Sequence, residues 1–176
     1  MDSSKFISDS DFHWLMLATK ECEEKPWMEC IHVIDGLGYT TDGHRMHVAP
    51  TTLDNGVYDG YMCNVWPCHP SDVEMPEKLD LKARFDGWYN RIVGHGKTVL
   101  LSDMVNTMGF DGRVDTKCGT AGAQRKYVIQ ALFGMDKGES TPMNFGLLHG
   151  GENMLCGTDG KRSFAVMGLR KDKNNE

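Results

Sequence analysis

Two periods of hydrophobic and polar residues organise this 176-residue chain. Helical spacing comes first. Phe12, Leu15, Met16 and Thr19 share one face, behind Ser8-Asp9-Ser10-Asp11, where a serine followed three residues later by an acid forms a capping-box pattern. Pro26 predicts that this helix fades over residues 23–26. Strand-like runs follow at Met28 to Asp35, Leu37 to Thr41, His44 to Ala49 and Val57 to Trp66. Gly36 breaks the first pair, and Asp42-Gly43 predicts a type I′ hairpin turn in the second. Residues 67–82 read as a polar connector with Pro67, Pro70 and Pro76, and Phe85 to Val93 as an aromatic segment of no assigned structure. Val99 to Met108 predicts a short helix ending at Gly109, and Asp111 to Ala121 a strand with a loop. Gly122 to Phe133 predicts a second long helix, with Tyr127, Val128, Ala131 and Leu132 as its apolar face and Gly134 as its cap. Met143 to Leu148, Glu152 to Cys156 and Lys161 to Leu169 are predicted strands, and Arg170 to Glu176 a frayed charged tail.

A local pattern recurs. Thr41-Asp42-Gly43-His44-Arg45 is echoed by Thr158-Asp159-Gly160-Lys161-Arg162, each in an expected hairpin after a helix and two strand-like runs. The matching order of elements points to duplication. The expected class is α+β, with two α-plus-β-meander halves related by an internal repeat and antiparallel sheet covered by helices on one face. We expect a single domain over 1–176, with a first half at 1–68, a connector at 69–98 and a second half at 99–176.

Composition narrows the function classes. Hydrophobic residues make up 40% and charged residues 25%, as in ordinary globular proteins. No apolar run approaches the roughly 20 residues that span a bilayer, and Met1-Asp2-Ser3-Ser4-Lys5 has no secretory pattern, so the expectation is a cytoplasmic protein without a membrane partner. Net charge is −6, unevenly spread: residues 1–68 carry 4 Lys and Arg against 11 Asp and Glu, and residues 99–176 carry 10 against 9. Nucleic acid could not be held by bulk charge and would need a local basic face. The 6 cysteines are scattered, and Cys63-x4-Cys68-His69 lacks a second pair for zinc. They read as reduced small hydrophobes, and no metal or cofactor is expected. Seven histidines supply acid–base material, densest at His44-Arg45-Met46-His47. There is no nucleophile elbow and no phosphate-binding glycine loop, since Gly94-His95-Gly96-Lys97-Thr98 lacks the upstream glycine. No catalytic residues are assigned.

Three segments resemble the bacterial sliding clamp, the beta subunit of replicative DNA polymerase. Thr41-Asp42-Gly43-His44-Arg45-Met46 is similar to that family's Thr-Asp-Gly-His-Arg-Leu motif. Phe85 to Val93 resembles its aromatic linker, and Gln124 to Leu132 with Phe164 to Arg170 resembles its last helix and closing strand. Gly168 stands where the family has proline, and Asp86-Gly87 where it has Pro-Asp. The chain has room for one clamp domain or a contracted pair, not the family's three. The resemblance implies a DNA-clamp-like fold in a shortened or phage-type relative, a homo-oligomer if it encircles DNA, and a groove for short clamp-binding peptides of replication proteins. Carried over residue by residue, that groove comprises Thr41, Gly43, His44, Arg45, Met46, Arg91, Ile92 and Met167. From the residues alone, Met46 and Met167 are strand core positions and Arg45 a hairpin-rim charge. Double-stranded DNA would meet Arg113, Lys117, Arg125 and Lys126, at and before the second helix. The first helix, with Lys20 against Asp9, Asp11, Glu21, Glu23 and Glu24, is too acidic for that role. The competing expectation is a protein-binding module on a clamp fold that engages replication proteins without encircling DNA.

Overall fold

The computed structural model describes residues 6–60, 69–95, 97–100, 113–115, 122–135, 142–147 and 153–168. Helix α1 spans Asp9–Met16. Ser8 caps it, its Oγ accepting from the Asp11 amide, and Asp9 and Asp11 sit favourably against the positive end of the helix dipole. It ends well before Pro26, because the chain folds back: the Thr19 hydroxyl donates to the Met16 carbonyl and the Lys20 amide to that of Met28. A 3₁₀ turn at Pro26–Glu29 leads into β1 (Cys30–Ile34), β2 (Leu37–Thr41), β3 (Arg45–Pro50) and β4 (Gly56–Asp59). Then come α2 (Leu81–His95), β5 (Lys97–Leu100), β6 (Arg113–Asp115), β7 (Gly122–Gln124), α3 (Arg125–Leu132), β8 (Pro142–Leu147), β9 (Asn153–Thr158) and β10 (Ser163–Met167).

Eight strands form one antiparallel sheet in the order β4-β1-β2-β3-β10-β9-β8-β5, while β6 and β7 pair separately. Four strands lie on each side of the β3–β10 junction, and the repeat relates β2 to β9 and β3 to β10. Equivalent residues of the two copies lie 117 positions apart, as in Thr41 and Thr158. At the junction His47 pairs with its own equivalent, Phe164, while Met46 faces Ala165 and Val48 faces Ser163. A pseudo-two-fold axis therefore passes through the His47–Phe164 pair. The hairpin registers repeat as well: Thr41 opposes Met46 in one copy, and Thr158 opposes Ser163 in the other. The duplication expected from five residues thus extends through the strand pairing.

Strand alternation gives the sheet two apolar faces. On one, α1 and α3 cover Ile31, Val33, Leu155, Phe164 and Val166 with Phe12, Trp14, Leu15, Val128 and Ala131. The Trp14 indole donates to the Ala131 carbonyl at 3.0 Å, joining the two helices. The other face carries Tyr39, Met46, Val48, Met154, Cys156 and Ala165 under Leu81, Phe85 and Ile92 of α2.

Several boundaries differ from expectation. Phe85 to Val93, unassigned from sequence, lies within α2. Asp80 starts that helix, its carboxylate accepting from the Ala83 amide. Gly87 and Gly94 blur the helical signal, yet both face open space. Alpha-helix α3 begins at Arg125 rather than Gly122, because Gly122–Gln124 pairs with β6. Gly134, at φ +70°, follows its end as expected. The helix predicted from Val99 to Met108 starts inside β5, and its remainder lies outside the described residues. So do residues 61–66 of the predicted fourth strand, whose described part is β4, and the 170–176 tail. The type I′ geometry occurs at Asp35-Gly36, where φ is positive at both residues, and not at Asp42-Gly43, where only Gly43 is positive.

His47 lies under this architecture, fully buried, its ring stacked 4.2 Å from that of Trp14. Its Nδ1–H donates to the Trp14 carbonyl at 2.8 Å, and Nε2 has no partner. Burial pushes its pKa down to about 3, from 6.5. The unfolded chain thus binds a proton below pH 6.5 that the folded chain refuses until about pH 3. Stability is whole above that window and falls with pH inside it, by about 1.4 kcal/mol per pH unit for one site. His47→Phe installs the residue found at the equivalent position. Urea midpoints measured from pH 7.5 to 5 should show about one proton less of pH dependence in this variant. An unchanged slope would contradict the assignment.

Candidate functional site

The two Thr-Asp-Gly hairpins are built alike. Thr41 Oγ1 donates to the Arg45 carbonyl at 2.6 Å and accepts from the Gly43 amide at 3.1 Å. Asp42 Oδ1 accepts from the His44 and Arg45 amides at 2.9 and 3.1 Å. In the second copy Thr158 bonds the Arg162 carbonyl and the Gly160 amide, and Asp159 bonds the Lys161 and Arg162 amides. Side-chain oxygens thus replace the backbone bonds of a two-residue turn. This is why the Asp42-Gly43 turn departs from type I′. The glycine remains necessary, with φ +85° at Gly43 and +89° at Gly160.

The arginines then diverge. Arg162 Nε donates to Asp11 Oδ1 of α1 at 2.7 Å, Nη1 donates to the Gly134 carbonyl, and Nη2 donates to Ser10. Lys161 reaches the other Asp11 oxygen at 2.7 Å. Burial pushes the Asp11 carboxyl up, but Lys161, Ser8 and Arg162 together hold it below its ordinary value. Arg45 instead pairs with Asp42 of its own hairpin, Nε to Oδ2 at 3.0 Å, with both side chains buried. Its Nη1 donates to Gln130 of α3, and its guanidinium lies 4.5 Å over the Tyr127 ring. His44 stacks on the same tyrosine, 6.1 Å between centroids. Burial lowers the Arg45 pKa, and Asp42 opposes that shift.

Beside the first hairpin, between the sheet and α2, opens a cleft of about 330 Å³. Met46, Met154, Ala165 and Met167 line it from the strands, Leu81, Arg84 and Trp88 from α2, and Trp27 and Leu79 from the flanking loops; Thr41, Gly43 and Arg45 complete it. The Arg84 guanidinium lies 5.7 Å over the Trp88 ring. At the second hairpin, the Tyr89 hydroxyl of α2 meets the Thr158 side chain. The helix leans toward the second hairpin and leaves the first open.

Five of the eight expected groove residues line this cleft: Thr41, Gly43, Arg45, Met46 and Met167. The structure places the other three elsewhere. His44 turns toward α3, Ile92 is buried on the sheet-facing side of α2, and Arg91 is exposed on α2 outside the lining. Sequence reasoning missed the α2 wall and Trp27; the signal for the wall was the spacing of Leu81, Phe85, Trp88 and Ile92 after Asp80. Of the expected DNA contacts, Arg125 and Lys126 are exposed in the first turn of α3. Arg113 is in β6, and Lys117 lies outside the described residues. Among the described residues no group of three His, Cys, Asp or Glu could hold a metal ion, and no helix is long and apolar enough to cross a membrane.

No protein-family model and no curated protein matches the chain by sequence. Solved structures match it by shape. The DNA polymerase III beta subunit of Thermotoga maritima superposes with a TM-score of 0.54 at 11% identity, over 93% of this chain and 63% of that one. The sliding clamp of Pseudomonas aeruginosa gives 0.54 and 11%, over 94% and 66%, and that of C. crescentus 0.56 and 13%, over 96% and 66%. The fold is that of the bacterial sliding clamp. The chain spans just under two thirds of the length of these clamps.

The hairpin glycines differ in one testable respect. A methyl group at Gly160 meets nothing within 4 Å, whereas at Gly43 it lies 3.3 Å from Met28 Cε. Gly160→Ala should cost about 1 kcal/mol, from backbone strain alone. Gly43→Ala should cost more, because strain and crowding add. Urea unfolding of both variants decides this, and equal losses would contradict it.

Proposed function

We propose that the protein is a sliding-clamp-like replication protein whose cleft receives a short apolar peptide segment of a partner replication protein. The observation that carries this reading is the cleft itself: an apolar floor with three methionines, a rim of two tryptophans and two arginines, and the Thr-Asp-Gly-His-Arg hairpin as one wall. Methionine side chains adapt to varied apolar partners, and each large aliphatic or aromatic side chain buried there would contribute about 2 kcal/mol. Arg84 suits a peptide carbonyl or carboxylate. Arg45 is already held by Asp42 and Gln130, so its role is to brace the wall. The C. crescentus clamp binds polyethylene glycol at its beta-motif tethering region.

The reading assigns no reaction to the site. The buried histidines His32 and His47 spend one ring nitrogen each on a backbone carbonyl and do not line the cleft. Contact with duplex DNA belongs to the same proposal, through Arg125 and Lys126 to phosphates without base readout.

A fluorescently labelled clamp-binding peptide tests the cleft by anisotropy. The wild-type protein should bind it, and Met46→Asp should abolish the signal. Met167→Asp, at a half-buried position, guards against a folding defect at Met46. Absence of binding by the folded wild type, or binding as tight as wild type by both variants, would sink the peptide reading. Duplex retention at low salt should fall with log salt at a slope of about −2 for two phosphate contacts. It should vanish in Arg125→Glu/Lys126→Glu, and a wild type that retains no duplex would remove the DNA part alone.

A further inference from the structure

A buried histidine lies on each face of the sheet, and each spends its ring proton on the carbonyl of a tryptophan. His47 serves Trp14, which is itself buried on the face of α1 and α3. His32 serves Trp27, which lines the cleft. Strand alternation turns His32 of β1 toward the α2 face, because Ile31 and Val33 beside it face α1 and α3. His32 is 2% exposed. A carbonyl only accepts, so the ring nitrogen 2.6 Å from it, Nε2, carries the proton. Nδ1 is then the bare nitrogen, buried without a partner. Burial pushes the ring pKa below its ordinary value, which keeps the ring neutral. The Trp27 ring meets this histidine edge to face, 6.3 Å between centroids.

We propose that His32 is a positioning residue for the cleft: its Nε2–H fixes the short turn that carries Trp27, and so sets the rim against which a partner peptide packs. The effect on a peptide rests on the cleft being a peptide site; the placement of Trp27 does not. The turn at Pro26–Glu29 is a single 3₁₀ turn with no side-chain cap at its start, and such turns have poorer hydrogen-bond geometry than an α-helix. The Cys30 amide closes it by donating to the Trp27 carbonyl. His32 adds the bond that ties the same carbonyl to the sheet. On its other side the turn touches the first hairpin, since Met28 Cε lies 3.3 Å from where a methyl group at Gly43 would stand. Trp27 is thus set between β1, through His32, and the hairpin, through Met28. A turn that shifts moves one wall of the cleft relative to Met46 and Met167. Without the histidine bond a peptide must select the competent placement, and its apparent dissociation constant rises by the inverse of the competent fraction.

Histidine and glutamine carry Nε2 the same number of bonds from Cα. His32→Gln therefore keeps a donor near the same point, whereas His32→Leu removes it at similar bulk. The first readout is the Trp27 indole N–H signal of the free protein by NMR, assigned through its loss in Trp27→Phe. The second is the anisotropy of a labelled clamp-binding peptide. His32→Leu should shift the Trp27 signal and weaken the peptide about tenfold, the effect of one hydrogen bond. His32→Gln should return both toward wild type, and neither variant should move the Trp14 signal. Nitrogen-15 spectra of the histidine rings in the wild type keep the proposal testable if His32→Leu does not fold: His32 should be the Nε2–H tautomer and His47 the Nδ1–H tautomer. A His32 protonated on Nδ1 overturns the proposal. So does a folded His32→Leu that keeps the wild-type Trp27 signal or the wild-type peptide affinity, or a His32→Gln no closer to wild type than His32→Leu. If the wild type binds no peptide, the peptide reading fails alone, and the Trp27 signal still decides whether His32 sets the turn.

Discussion

The antiparallel pairing of β3 with β10 is the constraint on which the rest depends. It joins the two copies of the repeat through His47 and Phe164, which are equivalent residues. Antiparallel pairing at that point sends the two hairpins to opposite ends of the sheet and brings α1 and α3 together on one face. It also makes the opposite face continuous across both copies, wide enough for α2 to cover. The junction tolerates a histidine only because the ring stays neutral, donating to one carbonyl beneath Trp14. A buried imidazolium without a counter-charge would be expensive there.

Function, in this account, comes from where the symmetry is broken. The hairpins share a hydrogen-bond pattern, yet α2 closes on one and leaves a cleft at the other. The arginines occupy equivalent positions, yet one anchors α1 through a buried carboxylate and the other braces the cleft wall against α3. Removing Asp11 would leave the buried Arg162 without its counter-charge, a loss of about 3–5 kcal/mol, whereas Asp11 keeps Lys161 as a partner if Arg162 is removed. A buried pair of this kind fixes geometry more than it adds net stability, and the geometry it fixes is the docking of α1.

Much of this was legible in the residues. The five-residue echo revealed the repeat, because an Asx-type hairpin needs aspartate, glycine and the flanking threonine at set positions. Ser8 and Asp11 marked the start of α1. The hairpin motif holds four of the cleft residues and the closing strand the fifth, Met167, since they lie on β2, the hairpin, β3 and β10, where local pattern is strong. Helix α2 was not legible: two glycines and clustered aromatics hide its period, and its place is decided by the apolar sheet face it covers rather than by its own propensity. That tertiary choice moved Ile92 into the core and gave the cleft a wall of Leu81, Arg84 and Trp88. His44 was misplaced for a similar reason, as its ring is drawn to Tyr127 on a helix distant in sequence.

The central claim is that the cleft at the first hairpin is the docking site of a partner peptide. Methyl NMR of methionine-labelled protein addresses it most directly, because Met46, Met154 and Met167 line the cleft, whereas Met16 and Met135 pack in the core under α1 and α3. Titration with a clamp-binding peptide should shift the first three signals together and saturably, leaving Met16 and Met135 in place. Saturable shifts confined to Met16 and Met135, or none at all from the folded protein, would contradict the account.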